Sequence, residues 1–180
     1  MKKGALLFWL VPIAVVLYLL GSLPKNSPTD VGPASTSQPH TPVLSWVYAQ
    51  HADEMGSGTI KIAAVQSLAE ISFGFPYQGA QRGTLTLQDH PRRGESVSLS
   101  VPRGQFLCYS PCYISAQFNS GRIWQYETAS PADGSSNTVF IVDYKDFRNE
   151  LQKADRVRME ALFYQEGTRV FDFDVTNLRW

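Results

Sequence analysis

The chain has 180 residues and carries 16 basic against 16 acidic side chains. Residues 46–180 alone hold 13 basic and 15 acidic groups, a net charge of −2, which leaves no electrostatic case for nucleic acid or an anionic membrane surface as partner. No G-x-S-x-G, H-E-x-x-H, Walker-type loop or dinucleotide fingerprint occurs, so the enzyme classes that depend on those motifs are excluded.

The chain opens with Met1, Lys2 and Lys3, followed by the uncharged run GALLFWLVPIAVVLYLLGSL, Gly4 to Leu23. About 20 apolar residues is the length that spans a bilayer core as a helix. A cleaved signal peptide opens in the same way, but its apolar core is shorter, roughly 7 to 15 residues. The exit LLGSLP is also a poor cleavage site, because Leu20 stands three residues before a cut at Ser22. Residues 1–23 are therefore expected to form an uncleaved membrane anchor, with a soluble periplasmic protein after signal cleavage as the alternative. Pro12 is compatible with a helix in a membrane. Lys2 and Lys3 should keep the N-terminus cytoplasmic and send the remainder across the inner membrane into the periplasm. No cysteine follows the run, which excludes a cysteine-linked lipid anchor.

Residues 24–45, PKNSPTDVGPASTSQPHTPVLS, contain five prolines and no apolar periodicity. Such a stretch buries too little to offset its ordering entropy and is expected to be a disordered, partly extended spacer. Residues 46–180 are then one β-rich domain, a usual length for a single core.

Within that domain the apolar residues recur mostly every second position. Ile71, Phe73 and Phe75 share a face, as do Leu85 and Leu87, and then Val97, Leu99 and Val101. Ile114, Ala116 and Phe118 continue the pattern, and Val157, Met159, Ala161 and Phe163 stand opposite Arg156, Arg158 and Glu160. Phe171, Phe173 and Val175 point inward while Asp172 and Asp174 face water. This alternation is that of strands with one face on a core. The stretches PYQGAQRG, DHPRRGE, FNSGR, SPADGSSN and YQEGTR are turns, and Gly167 suits a tight hairpin that needs a positive φ. The aromatic set Trp124, Tyr126, Phe140, Phe163 and Phe171 is expected to fill the core.

One segment, VDYKDFRNELQKAD, reads as a helix over about 143–154. Asp143 is placed to cap it, and Tyr144, Phe147, Leu151 and Ala154 form one apolar stripe. It should cover one open end or face of the sheet. The fold class expected is mainly β: an antiparallel β-sandwich or partly open barrel with one amphipathic helix.

Cys108 and Cys112, the two cysteines of the chain, flank the turn residues YSP. A hairpin there would bring them within the roughly 4.4–6.8 Å between Cα atoms that a disulfide requires, and an exported domain matures in an oxidising compartment. A structural disulfide is expected, with a copper, zinc or thiol-redox role as the alternative. No metal ligand set accompanies the pair: His40 lies in the spacer, His51 follows the first strand and His90 sits in a basic turn. No cofactor is expected, and no catalytic residue is assigned. His90, Arg92 and Arg93 form a possible partner-contact turn able to grip an anionic group, although a turn residue in water is the ordinary reading of each.

The segments FPYQGAQRGTLTL, GQFLC followed by the second cysteine, PADGSSNTVFI, FYQEG and FDFDVTNLRW resemble a family of small, functionally uncharacterised exported bacterial envelope proteins, over Trp46 to Trp180. That resemblance implies an exported, disulfide-bearing domain. The order of cysteine, strand, turn, strand, FRNELQKADRV helix and closing FDFDV strand is also similar, more distantly, to envelope accessory proteins of type VI secretion. Those carry an FDDG-like turn where this chain has FNSG, Phe118 to Gly121. The functional expectation is a non-catalytic, membrane-tethered binding or assembly module of the bacterial envelope. The alternatives are a periplasmic inhibitor or immunity-type protein that binds one enzyme, and a metal or thiol-redox protein using Cys108 and Cys112.

Overall fold

The computed structural model describes residues 45–180; the expected anchor and all but the last residue of the expected spacer lie outside the described residues. In chain order the elements are β1 (Val47–Ala52), β2 (Thr59–Gln66), β3 (Ile71–Phe73), β4 (Gly79–Gln81), β5 (Thr84–His90), β6 (Gly94–Ser100), β7 (Cys112–Phe118), β8 (Ile123–Ala129), β9 (Thr138–Ile141), α1 (Tyr144–Leu151), β10 (Arg156–Phe163) and β11 (Gly167–Asp174). Nine strands form one antiparallel sheet in the order β1-β2-β5-β6-β9-β8-β7-β10-β11, and β3 pairs with β4 in a separate ribbon.

The alternation fixes which face turns inward. Leu85, Leu87, Val97 and Leu99 from one half of the sheet share a single buried cluster with Ile114, Met159, Phe163 and Phe173 from the other half. A sheet whose one face is apolar along all its strands must curl to bury that face on itself. The two halves therefore face each other like a sandwich, although they belong to one sheet. At the seam Leu68 N donates to Asp172 O at 2.7 Å, but no ladder joins β1 to β11. The sheet is curled and not closed into a barrel.

The two open ends are covered by different elements. At one end α1 drops Phe147 and Leu151 into the core. Phe147 packs edge-on against Phe118 and Tyr126, with ring centroids 5.2 and 5.0 Å away. At the other, the β3–β4 ribbon brings Phe73 against Phe163, 5.1 Å between ring centroids. Full burial of each such ring contributes about 1.5–3 kcal/mol. Asp143 caps α1 as its sequence position suggested, its carboxylate accepting from Asp146 N at 3.3 Å. The helix stops at Leu151 rather than 154, because the backbone tightens: Lys153 N donates to Glu150 O and Ala154 N to Leu151 O. Ala154 still completes the buried stripe.

Three expectations are corrected, and one strand, β2, carried no expectation. The strand at Ile71 ends at Phe73, and Phe75 is 78% exposed, since the Gly74 and Pro76 neighbours end the ladder before the alternation can be used. Phe140 lies on the outer face, between the inward Val139 and Ile141. β2 escaped the period-two pattern because Ile60 is buried on the face opposite Ala63 and Val65. The cysteine segment is not a hairpin. Tyr164 N donates to Gln105 O and Leu107 N to Leu162 O, while Ser115 to Phe118 pair with the same edge of β10 further along. Residues 105–107 and β7 thus form one interrupted strand beside β10. Cys108 and Cys112, bonded as a disulfide with Cα atoms 4.9 Å apart, tie off the loop that bulges from it.

Candidate functional site

Where α1 covers the sheet, the inward-facing positions change from apolar to polar. The registers set Gln50, Lys61, Asp89 and Glu95 side by side on β1, β2, β5 and β6. Lys61 Nζ lies 3.8 Å from Asp89 Oδ2. Asp89 and Glu95 stand directly opposite each other, an unfavourable pairing of like charges. Lys61 compensates from one side and Arg148 of α1 from the other, its guanidinium donating to Glu95 Oε2. A groove of about 310 Å³ runs over this row to Arg179 and Trp180. The tail forming its far wall is held by Tyr48, whose hydroxyl accepts from Arg179 N at 2.8 Å, and by Gln152, which donates to Trp180 O at 2.7 Å. Paired charges with two aromatic walls suit a polar ligand bound by hydrogen bonds; the row presents no nucleophile beside a base.

The predicted partner-contact turn lies at the rim of this end. His90 is only 3% exposed, so it is not the solvated turn residue its neighbours suggested. It neighbours Ile60 of β2 in the continued register, and its Nδ1 accepts from Arg92 N at 3.2 Å. Arg92 is held by Asp53 of the β1–β2 turn, with Nη2 donating to Oδ1 at 2.8 Å and Nε to Oδ2. That hydrogen bonding holds the Asp53 carboxyl down to about 2, against the opposing effect of its burial. Arg92 is therefore engaged inside the chain. Among the described residues the Arg93 side chain has no hydrogen bond or ion pair, and it is exposed. The sequence brings His90, Arg92 and Arg93 together by adjacency; Asp53, 39 residues away, had no local signal.

A second surface surrounds the disulfide at the opposite end. Thr128, buried, donates from Oγ1 toward Cys112 Sγ at 3.0 Å, which fits a satisfied structural pair. Around it stand exposed apolar side chains. Leu162 and Tyr164 face outward on and just beyond β10, beside Leu107 and Gln105. Tyr113 faces outward at the start of β7, and Tyr109 at the loop tip is 73% exposed. Leu162 was legible as an apolar residue on the wet side of RVRMEALFYQ; the tyrosines joined it only through the interrupted strand. Elsewhere, Tyr126 donates to Asp146 Oδ2 at 2.9 Å, and burial followed by that hydrogen bond pushes its phenol above the usual range. Among the described residues no three His, Cys, Asp or Glu side chains converge as a metal site, and no helix is long and apolar enough to cross a membrane.

No family model matches the chain. No curated relative matches it either. Among solved structures it is similar to a crystal structure of invasion associated protein B from Bartonella henselae, at 13% identity over 75% of this chain and 86% of that one, with a TM-score of 0.45.

Proposed function

We propose that this chain is a non-catalytic binding or assembly module of the bacterial envelope. Residues 4–23 tether it to the inner membrane, and the β-domain faces the periplasm. Its partner is another envelope protein. The observation that carries this reading is the cluster of exposed apolar side chains beside the disulfide: Tyr109, Tyr113, Leu162 and Tyr164. Scattered surface apolar residues need no explanation, but a group of them with tyrosines prominent has the composition of a protein-binding patch. The disulfide and Thr128 hold its backbone in place, which lowers the ordering cost of association.

The test is photo-cross-linking in intact cells, with a benzophenone amino acid replacing Tyr113 in the full-length protein. A discrete adduct with one envelope protein, lost when Leu162→Arg is added and absent when the probe replaces Lys153, is the expected result. An equal yield at Tyr113 and Lys153, or an adduct indifferent to Leu162→Arg, overturns the assignment of the patch.

A further inference from the structure

Among the described residues, β1 is an edge strand with a partner, β2, on one side only. Asp53 N donates to Gly58 O at 3.1 Å, and the same register sets His51 against Ile60, Ala49 against Ile62 and Val47 against Ala64. Backbone groups in an antiparallel pair alternate in direction. The N–H and C=O groups of Val47, Ala49 and His51 are thus used by β2, and those of Tyr48, Gln50 and Ala52 point away from the sheet. All six residues of β1 are exposed, and among the described residues no strand and no backbone hydrogen bond engages this edge.

Sheet edges are ordinarily blunted by lysine, proline, a bulge or a covering segment. β1, VYAQHA, holds no lysine or proline, its register with β2 runs without a bulge, and no strand among the described residues covers it. The other edge differs: β11 carries Arg169, Asp172 and Asp174, and Asp172 O is already taken by Leu68 N. β1 is also held in shape before any partner arrives, because the Tyr48 hydroxyl bonds Arg179 N and Asn177 O.

We propose that β1 pairs with β1 of a second copy of this chain, antiparallel about a two-fold axis at Gln50. The outward direction of Tyr48, Gln50 and Ala52 dictates the register: Gln50 opposite its own copy, Tyr48 opposite Ala52. It forms about six main-chain hydrogen bonds. The strand is its own complement. It holds no lysine, arginine or carboxylate, so no like charges oppose each other; the amide of Gln50 meets an amide, and the large Tyr48 meets the small Ala52. A two-fold contact of this kind closes at the dimer and leaves no further edge of the same type. The inference stands apart from the tether and from the patch beside the disulfide.

The experiment uses the full-length protein in detergent. Gln50→Pro removes an N–H that points away from β2, so the β1–β2 ladder can remain while self-pairing is lost. Light scattering should give a dimer for the wild type and a dissociation constant raised about tenfold or more for Gln50→Pro. With a mild oxidant, Gln50→Cys should cross-link rapidly between copies, because the register sets the two residues opposite each other. Ala52→Cys should not, because each copy's residue 52 faces residue 48. A monomeric wild type, a dimer unaffected by Gln50→Pro, or cross-linking at Ala52→Cys as fast as at Gln50→Cys overturns the proposal. Should Gln50→Pro fail to fold, the two cysteine variants decide it. A monomer that gains mass only with a different envelope protein would assign the edge to that protein and equally overturn self-pairing.

Discussion

Asp53 and Arg92, 39 residues apart in the chain, meet in a two-point ion pair that fastens the β1–β2 turn to the β5–β6 turn. The pair makes the stability of this end depend on pH. The Arg92 hydrogen bond, ahead of the other influences, lowers the Asp53 carboxyl from 3.8 to about 2. A folded value below the unfolded one stabilises the fold above the unfolded value, and that contribution is lost as pH falls through the folded one. The loss therefore lies between about pH 4 and pH 2. Urea midpoints measured across that range should fall less steeply in Asp53→Asn than in the wild type, and Asp53→Asn should be the less stable at pH 7. Parallel curves would mean the pair contributes nothing.

The aromatic residues separate sharply by burial. Phe147 is fully buried between Phe118 and Tyr126, and Phe147→Ala should cost about 3–5 kcal/mol. Phe75 shares an alternating strand pattern with Ile71 and the buried Phe73 in sequence but is exposed, and Phe75→Ser should change stability by no more than about 0.5 kcal/mol. Chemical denaturation of both variants checks the contrast.

Gly104 sits at φ +141°, and a Cβ there would stand 2.6 Å from Cε2 of Phe73 and 3.1 Å from Val101 Cγ2. Gly104→Ala should destabilise by roughly 2 kcal/mol or more, from backbone strain and core overpacking together. Gly121→Ala, at an ordinary φ with its closest approach a carbonyl oxygen at 3.0 Å, should cost less. The difference in melting temperature between the two variants reads this out.

The disulfide ties a five-residue loop, for which chain entropy gives about 2 kcal/mol. Cys108→Ser with Cys112→Ser should lose about that much and still fold. Intact mass of the chain extracted from cells with thiols blocked is the companion measurement. No added alkyl groups is the expected outcome; two would move the thiol-redox alternative ahead. The same mass reports whether residues 1–23 remain attached.

Much of the fold was legible because a strand's side chains alternate with a period of two, and burial of one face imposes that period on the residues. Leu85, Leu87, Val97, Leu99, Met159, Phe163, Phe171 and Phe173 were placed inward on that ground, and all are buried. The helix was legible for the same reason at its own period, together with a cap that acts over three residues. The pattern failed where one face is not uniformly apolar, as with Ile60 in β2, and where a turn cuts a strand short, as at Phe75. The candidate surfaces were harder to read. His90 and the arginines were visible as a cluster, but the partner that occupies Arg92 comes from another turn. Tyr109 and Tyr113 gave no sign that Leu162 and Tyr164 stand beside them.

The sequence by itself determined the local choices: which residues face inward, where the helix begins and which two cysteines pair. These depend on neighbours a few positions away, so periodicity and turn chemistry suffice. The tertiary structure decided what depends on strand order. It curled nine strands into one unclosed sheet, set Cys108 and Cys112 on either side of a break in a single strand, paired Asp53 with Arg92 and left the outward backbone groups of Tyr48, Gln50 and Ala52 without a neighbouring strand among the described residues. Which strands lie side by side is settled by burying one common core across long sequence separations, and no local pattern encodes it.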